Sequence, residues 1–444
     1  MKIYFAIGVM VLQQNSDVAI WGWGTPGEEI IIVCSWNKND MVTVKPANTA
    51  KWEGTIRKTK AGSPYSISIS GNDTVEIKNV MLGEVWLCSG QSNMEWSINW
   101  GITNEKELLT EGFDLDIRIL TVQKQTDEFP QQNCLGSWQL GTAEHARSTS
   151  AVGYIFAKEL KRKLNVPVGI IVSAWGGTTA EVWIEKNRIN NKPKLDEAKI
   201  VRDVFWCPSE PGAAYNSMIH PSIPYGIKGA IWYQGESSLH NYWVYSLLMK
   251  NLIEGWRSDF KKEFPFFLVR IAPFAYEEAN ISAYLREQQE LTTKVIPKTG
   301  MIVISDLVDD INNVHPQNKI DVGKRLANYA LTETYGLEVG AYKSPTYGSI
   351  EIIRNEIKID FNDVITELVC KDEQPFDFQI SGEDKYFVPA KVRIDGKSIL
   401  VYSKSVKNPV AVRHCFDDIS IPNVFSKEGL PLAPFRTDKW QLKH

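Results

Sequence analysis

The sequence lacks the patterns that mark several large classes of protein. Its 6 cysteines include no C-x-x-C pair, and its 6 histidines show no spacing typical of metal ligands, which argues against a zinc site or a redox motif. No basic cluster is longer than Lys161-Arg162-Lys163, and the formal net charge is -4, so we predict no nucleic-acid partner. No apolar run approaches the roughly 20 residues that span a bilayer, so we predict no membrane insertion.

What is present is an ordinary globular composition in a chain that is long for one domain. The 444 residues are 43% hydrophobic and 23% charged, and an average domain has roughly 150 residues, so we expect two or three domains. Residues 1–80 carry short alternating strands between turn clusters, which predicts a β-sandwich-like unit. Residues 81–340 alternate apolar strands with helices, which predicts an α/β domain with a mainly parallel sheet and helices on both faces. Residues 341–444 return to the strand pattern and predict a second β-rich unit.

The first residues have two interpretations. Residues 1–12 contain one cation and a short apolar stretch, as a clipped signal peptide would. No small-residue cleavage site follows, and the strand pattern continues through residues 18–23. We therefore expect residues 1–12 to form mostly a first β-strand.

A single serine follows an apolar strand in the α/β region. Residues 83–90 run directly into the turn Gly90-Gln91-Ser92-Asn93. Open α/β sheets bind their ligands at the carboxyl ends of the strands. A lone serine in a turn is usually structural, but this position makes Ser92 a candidate nucleophile.

Two further loops that follow strands offer hydrogen-bond donors for a developing negative charge. After residues 168–172, Gly176 and Gly177 let backbone N–H groups approach a ligand oxygen closely. After residues 227–233, the side chain of Gln234 can donate a fixed hydrogen bond. We therefore predict these three residues as oxyanion donors.

A serine hydroxyl needs a base, and one histidine lies on a suitable loop. His315 follows the predicted strand at residues 301–304, and Asp306, Asp309 and Asp310 lie between them. A carboxylate that orients the imidazole completes the triad of many serine hydrolases. We predict His315 as the general base and consider Asp309 and Asp310 as its acid.

Four sequence blocks together resemble the SGNH hydrolases and, within them, the sialate O-acetylesterase group of carbohydrate esterases. In chain order, the blocks are Gly90-Gln91-Ser92-Asn93-Met94, Ser173-Ala174-Trp175-Gly176-Gly177-Thr178, Trp232-Tyr233-Gln234-Gly235-Glu236-Ser237 and His315-Pro316-Gln317-Asn318-Lys319. The resemblance extends to residues 10–14, 408–413 and 427–431, so it covers nearly the whole chain.

The resemblance implies an SGNH-type, flavodoxin-like sheet and a double-displacement ester hydrolysis. Ser92 would attack an acetyl carbonyl on a sugar, most readily O-acetylated sialic acid, and His315 would move the proton. The same resemblance implies no metal or other cofactor and a periplasmic or secreted location. It also suggests active-site contacts for Glu236 and for Asn216, which lies in a segment similar to the family's Tyr-Asn-x-Met-Ile.

One departure from the family leaves the acid open. SGNH members commonly carry an aspartate two or three residues before the histidine, where this chain has Asn312 and Asn313. Asp309, Asp310, a backbone carbonyl or Glu236 could orient the imidazole, or a serine–histidine dyad could act alone.

Two alternative functions also stay open. The first is an acetylxylan or other polysaccharide acetylesterase, because the same four blocks serve both substrates. The second is a catalytically inactive glycan-binding protein, if the departure at Asn312 and Asn313 has removed turnover. The oligomeric state is not indicated by the sequence.

Overall fold

The computed structural model describes residues 8–57, 59–190, 192–196 and 204–440. Most of the predicted first strand falls on residues 1–7, which lie outside the described residues, and the first strand begins at Val11. Among the described residues, no helix is both long and apolar enough to cross a membrane.

The first part of the chain forms short strands with alternating burial. These strands are β1 (Val11–Gln13), β2 (Val18–Trp23), β3 (Ile30–Cys34), β4 (Asn37–Val44), β5 (Lys51–Ile56), β6 (Gly62–Ser70) and β7 (Thr74–Gly90). In β5, Trp52, Gly54 and Ile56 are buried while Glu53 and Thr55 are exposed, which is the two-residue period of a half-buried strand. β2 pairs with β5, and β3 pairs with β4 and β6. The flanking β-sheet expected here is confirmed.

The middle of the chain builds a mainly parallel sheet with helices. Its further strands are β8 (Ile117–Thr121), β9 (Trp138–Leu140), β10 (Val168–Ala174), β11 (Gly229–Tyr233), β12 (Phe266–Val269) and β13 (Thr299–Ile302). Its α-helices are α1 (Ser92–Glu95), α2 (Glu105–Thr110), α3 (Ala143–Ser148), α4 (Ala151–Leu164), α5 (Lys186–Ile189), α6 (Pro193–Asp196), α7 (Tyr245–Asp259), α8 (Ile281–Val295) and α9 (Lys319–Glu333). Short 3-10 or π-helical turns cover Ile98–Trp100, Ala180–Trp183, Tyr215–Ile219, His220–Tyr225 and Glu236–Val244. The predicted α/β class is confirmed.

The strand order corrects one detail of the expected fold. The order is β13-β12-β11-β7-β10-β8-β9, in which β9 alone runs antiparallel to its neighbour. A flavodoxin-like sheet has the order 2-1-3-4-5, but here the third parallel strand, β10, lies between the first, β7, and the second, β8. Every residue of β10 is buried, as is usual for a parallel strand with neighbours on both sides. The expected flavodoxin-like order is therefore wrong.

Helices cover both faces of the central sheet because its strands are apolar on both sides. In β7, Leu87 belongs to the same apolar core as residues of α7 and α8. Its neighbours Trp86 and Cys88 belong to a second core with α4 and α9. Burial on both faces explains why these strands appear in the sequence as continuous apolar runs.

One strand connects the N-terminal strands to the central sheet. The 17-residue strand β7 first pairs antiparallel with β6 and then runs parallel between β10 and β11. The predicted domain boundary at residue 80 falls inside this strand. At its end, Gly90 is in register with Ala174 of β10 and Tyr233 of β11, so the loops that follow these three strands meet.

The last part of the chain forms further antiparallel sheets. Their strands are β14 (Thr346–Ile353), β15 (Glu356–Asn362), β16 (Leu368–Cys370), β17 (Phe378–Ser381), β18 (Val388–Pro389), β19 (Lys391–Asp395), β20 (Ser398–Tyr402), β21 (Ala411–His414), β22 (Val424–Ser426) and β23 (Phe435–Arg436). They enclose a core of their own that includes Ile357, Ile399 and Val412. Arg436 joins this region to α8 through a bidentate ion pair with Glu287, at 2.8 and 2.7 Å.

Candidate active site

Ser92 lies in a tight turn against β11. The backbone of Gly90 has a φ of 140°, and a Cβ there would clash with the carbonyl oxygen of Tyr233. The backbone N–H of Gln91 donates to the same carbonyl at 3.0 Å. Only glycine suits this position, and the turn leaves Ser92 half-buried at the start of α1.

The structure brings Ser92 and His315 together. The Oγ of Ser92 lies 2.9 Å from the Nε2 of His315, although the two residues are 223 positions apart. The imidazole stacks on the ring of Trp96, with 4.7 Å between centroids and 28° between planes. The backbone N–H of His315 donates to the Oδ1 of Asn313 at 3.0 Å. Stacking and this local turn together hold the imidazole against the serine.

The imidazole is held in the form that a general base requires. Burial lowers the pKa of His315, and the positive charge of Lys319 lowers that pKa further. The ordinary histidine pKa is about 6.5. His315 is therefore mainly neutral at neutral pH and able to accept a proton.

The predicted aspartates do not contact the histidine. Within residues 8–57, 59–190, 192–196 and 204–440, no carboxylate hydrogen-bonds to His315. The exposed Asp309 accepts a hydrogen bond from the hydroxyl of Thr103 at 3.3 Å. The Oδ1 of Asp310, also exposed, accepts from the backbone and side-chain N–H groups of Asn312, at 2.9 and 3.1 Å. Both carboxylates make their hydrogen bonds away from the imidazole.

Two of the predicted oxyanion donors are already occupied. The backbone N–H of Gly176 donates to the Oε2 of Glu95 at 2.8 Å. The side chain of Gln234 is completely buried, and its Nε2 donates to the carbonyl of Thr178 at 3.3 Å and the Oγ of Ser238 at 2.9 Å. These hydrogen bonds stabilise the loops. Neither the N–H of Gly176 nor the amide of Gln234 is therefore free to stabilise an oxyanion in this conformation.

Two backbone donors at and near Ser92 remain free in the described part of the chain. The N–H groups of Ser92 and Gly177 have no acceptor among the residues that the structure describes. The glycine loop is close to the nucleophile, since a Cβ built on Gly176 would lie 3.2 Å from the Cβ of Ser92. Gly177 has a φ of 84°, and a Cβ there would lie 2.6 Å from the Nε1 of Trp206. Glycine is therefore required at position 177 by both conformation and space.

A network of hydrogen bonds connects three segments of the site. These are the turn at residues 90–93, called the nucleophile turn below, the loop after β11 and helix α9. The Nδ2 of Asn93 donates to the Oε1 of Glu236 at 2.7 Å and to the carbonyl of Val314 at 3.0 Å. The Oδ1 of Asn93 accepts from the Nζ of Lys319 at 2.6 Å. Burial raises the pKa of Glu236 and lowers the pKa of Lys319 to about 7.

Two members of this network, Asn93 and Lys319, are not predicted by the sequence. Glu236 was expected at the site, but no role was assigned to Asn93 or Lys319. The available signal was their presence in the nucleophile and histidine blocks. Their hydrogen bonding to each other became visible only with the fold.

Asn216, which the sequence suggests as an active-site contact, uses its side-chain donors within the protein. It is buried, and its Nδ2 donates to the carbonyls of Asp127 and Glu128 at 3.0 and 2.9 Å. The backbone carbonyl of Asn216 accepts a hydrogen bond from the backbone N–H of Gln131 at 2.8 Å. Both side-chain donors of Asn216 are thus used to hold a neighbouring loop.

A cavity adjoins the loops that follow β10 and β11. Its volume is about 210 Å³, and its lining includes Gly177, Trp206, Glu236 and His240. The indole of Trp206 is 58% exposed, which gives the cavity an aromatic wall. In the described part of the chain, no group of three His, Cys, Asp or Glu side chains is arranged to hold a metal ion.

Comparison with known proteins identifies the family. Residues 82–332 match the carbohydrate esterase family of sialic acid-specific acetylesterases. The sialate O-acetylesterases of Pongo abelii and Homo sapiens are each 28% identical to this chain over 383 residues, covering 78% of this chain and 73% of each relative. The crystal structure of a carbohydrate acetylesterase from Xanthomonas citri is similar with a TM-score of 0.90 at 31% identity, covering 99% of this chain and 100% of that one. Because the family match spans more than half of its length, the chain belongs to the sialic acid-specific acetylesterase family of carbohydrate esterases and is a carboxylic ester hydrolase.

Proposed function

We propose that this protein removes O-acetyl groups from a carbohydrate, with O-acetylated sialic acid as the substrate, through an acyl-enzyme on Ser92. The observation that carries the proposal is the 2.9 Å contact between the Oγ of Ser92 and the Nε2 of His315. This contact lies at the carboxyl edge of a mainly parallel sheet, where open α/β sheets bind ligands. Family membership supports the acetyl ester and the sugar.

The first chemical step is attack by the serine. The neutral imidazole of His315 accepts the hydroxyl proton while Oγ bonds to the acetyl carbonyl carbon. The tetrahedral intermediate then collapses, and the same proton passes to the sugar oxygen that leaves. Acetylated Ser92 remains, and water activated by His315 releases acetate in the second step.

Negative charge develops on the carbonyl oxygen in both steps. Preorganised N–H donors aimed at that oxygen supply much of the catalysis in such enzymes. The unpaired backbone N–H groups of Ser92 and Gly177 are the donors we assign to it. Gly176 and Gln234 act indirectly in this scheme, because their donors hold the surrounding loops.

The site supports a serine–histidine dyad. In the described residues, His315 has no carboxylate partner to stabilise the imidazolium that forms during catalysis. The ring of Trp96 stacks on the imidazole instead, and an aromatic face stabilises a cation by about 0.5–2 kcal/mol. We also infer an SGNH-type core, since the nucleophile turn ends the first parallel strand and glycine and amide loops end its two neighbours. A periplasmic or secreted location stays a prediction of the family resemblance.

The test is acetate release from 9-O-acetylated sialic acid and from acetylated xylo-oligosaccharide, measured side by side. We expect Ser92→Ala to lose activity by a factor on the order of 10⁴ or more while its thermal unfolding stays like that of the wild type. Ser148→Ala is the matched control, because that exposed hydroxyl donates only to the carbonyl of His145, at 3.2 Å.

Each outcome has a definite meaning. Serine-dependent release from the sialic acid alone supports the proposal, whereas release from the xylo-oligosaccharide alone would assign the enzyme to polysaccharides. Undiminished turnover in Ser92→Ala would reject the mechanism. Glycan binding without acetate release from either substrate would favour the inactive glycan-binding protein.

A further inference from the structure

A lysine is buried directly beneath the candidate active site. Lys319 is the first residue of α9 and has an exposed fraction of 0%. Lysine is almost never fully buried unless it is paired, yet among the described residues Lys319 makes no ion pair within 4.0 Å. The first turn of a helix also disfavours a cation, because the helix dipole is positive there. Keeping a lysine at this position costs stability, which suggests a function.

Within the described residues, the side chain of Lys319 makes one hydrogen bond, and it reaches the nucleophile turn. Its Nζ donates to the Oδ1 of Asn93, next to Ser92, at 2.6 Å. Asn93 in turn donates to the carbonyl of Val314, which precedes His315, at 3.0 Å. Lys319 and Asn93 therefore connect the segments that carry the two reacting side chains.

Lys319 also acts on the ring that covers the imidazole. Its Nζ lies 5.7 Å from the ring centroid of Trp96 and 5.4 Å from that of Tyr233, distances at which a cation is attracted to an aromatic face. Trp96 is the ring that stacks on His315. The ammonium group thus restrains the indole that restrains the imidazole.

We infer that Lys319 is a positioning residue for the Ser92–His315 pair, which it holds together through Asn93 and Trp96 and whose histidine it keeps in the neutral form. The inference rests on the proposed function, because it requires His315 to be the general base. It assigns Lys319 no contact with the substrate.

The charges around Lys319 support its effect on the protonation of His315. The groups that face Lys319 are Glu236 and Tyr233 from β11 and its loop, Asn93 from the nucleophile turn, Trp96 directly after α1, and His315 from the preceding loop. Glu236 is the one carboxylate among them, and its charge reaches Lys319 without a direct ion pair. The positive charge of Lys319 disfavours the imidazolium, so it lowers the pKa of His315.

The deciding experiment uses Lys319→Met, which keeps an unbranched side chain of similar length and removes the charge. We expect kcat to fall by about 10- to 100-fold, because small misplacements of reacting groups cost this much, while KM changes little. We also expect the acid limb of kcat/KM to move to higher pH, because the pKa of His315 rises when the nearby cation is lost. A purely structural lysine would lower the rate without moving this limb.

Two further variants keep the experiment decisive. Lys324→Met is the matched control, since Lys324 lies on the same helix, is partly exposed and is 3.9 Å from Glu107; both kcat and the acid limb should stay as in the wild type. Lys319→Gln retains a donor for Asn93 without the charge, and it replaces the methionine variant if that protein does not fold. An unmoved acid limb in the folded variant would overturn the inference, as would an unchanged kcat.

A second readout separates this inference from the proposed function. The pKa of His315 is measured by NMR titration of its ring proton in the Ser92→Ala background, with and without Lys319→Met. A rise in that pKa supports the effect of Lys319 on the histidine even if acetate release proves independent of Ser92. No rise would reject the effect of Lys319 on the histidine whatever the catalytic result.

Discussion

Replacing Asn93 by alanine should destabilise the protein strongly, because this side chain is the centre of the buried network. Asn93 is completely buried. Its amide donates to Glu236 at 2.7 Å and to the carbonyl of Val314 at 3.0 Å, and its oxygen accepts from Lys319 at 2.6 Å. The alanine variant leaves the buried Lys319 and the partly buried Glu236 and Val314 without these hydrogen bonds.

The size of the effect follows from the kinds of bond that are lost. Hydrogen bonds to charged groups contribute about 1.5–3 kcal/mol each, and one to a neutral carbonyl contributes about 0.5–1.5 kcal/mol. Two bonds of the first kind and one of the second give a loss of about 3.5–7.5 kcal/mol. Domains are stable by only about 5–15 kcal/mol, so Asn93→Ala should fold with a much reduced free energy of unfolding. Its turnover should fall too, because Val314 adjoins His315.

Urea unfolding followed by tryptophan fluorescence measures this loss. Asn99→Ala is the control, because Asn99 is exposed and its Oδ1 accepts one bond, from Arg147 at 3.2 Å. An exposed interaction of this kind contributes about 0–1 kcal/mol. If Asn93→Ala lost no more stability than Asn99→Ala, the network would not be what joins the nucleophile turn to the histidine loop.

Three further predictions follow from the site. Because the pKa of His315 is lowered, its neutral form persists at mildly acidic pH. The acid limb of the wild-type kcat/KM profile should therefore have its midpoint below the ordinary histidine pKa of about 6.5. A midpoint at or above that value would contradict the lowered pKa. Asp309→Asn and Asp310→Asn should each change kcat by less than about threefold, because neither carboxylate contacts the imidazole, and a large loss in one alone would identify a triad acid. Gly177→Ala should lower kcat at least about tenfold, since a Cβ would lie 2.6 Å from the neighbouring indole and displace the donor. Gly226→Ala, at a φ of 78° with open space around it, should cost only stability, and equal kcat losses in both glycine variants would reject a special role for Gly177.

The position of Ser92 could be predicted because it depends on local pattern and simple topology. An apolar run that ends in Gly90 predicts a strand and then a turn, and parallel strands present their carboxyl ends to one edge. The same topology predicts that the glycine loop and the Gln234 loop lie beside Ser92. The structure does bring these loops together, since β7 lies between β10 and β11.

The roles of individual donors could not be predicted in this way. Gln234 has the right residue type and loop for an oxyanion donor, yet its amide bonds to Thr178 and Ser238. Asp310 has the right loop for a triad acid, yet its carboxylate bonds to Asn312. A side chain takes the partner that burial and distance make available, and neither quantity can be read from the order of residues.

The sequence alone predicts the α/β class, the strands that are followed by polar loops, and the serine and histidine blocks of one family of esterases. These features depend on periodicity over a few residues and on short blocks, which are local properties. The strand order, by contrast, depends on the folded structure, as do the absence of a carboxylate beside His315 within the described residues and the hydrogen bond from Lys319 to Asn93. Lys319 and Asn93 are 226 positions apart in the sequence. They are in contact because folding buries both side chains in one place. There each side chain loses its hydration and needs a hydrogen-bond partner in exchange.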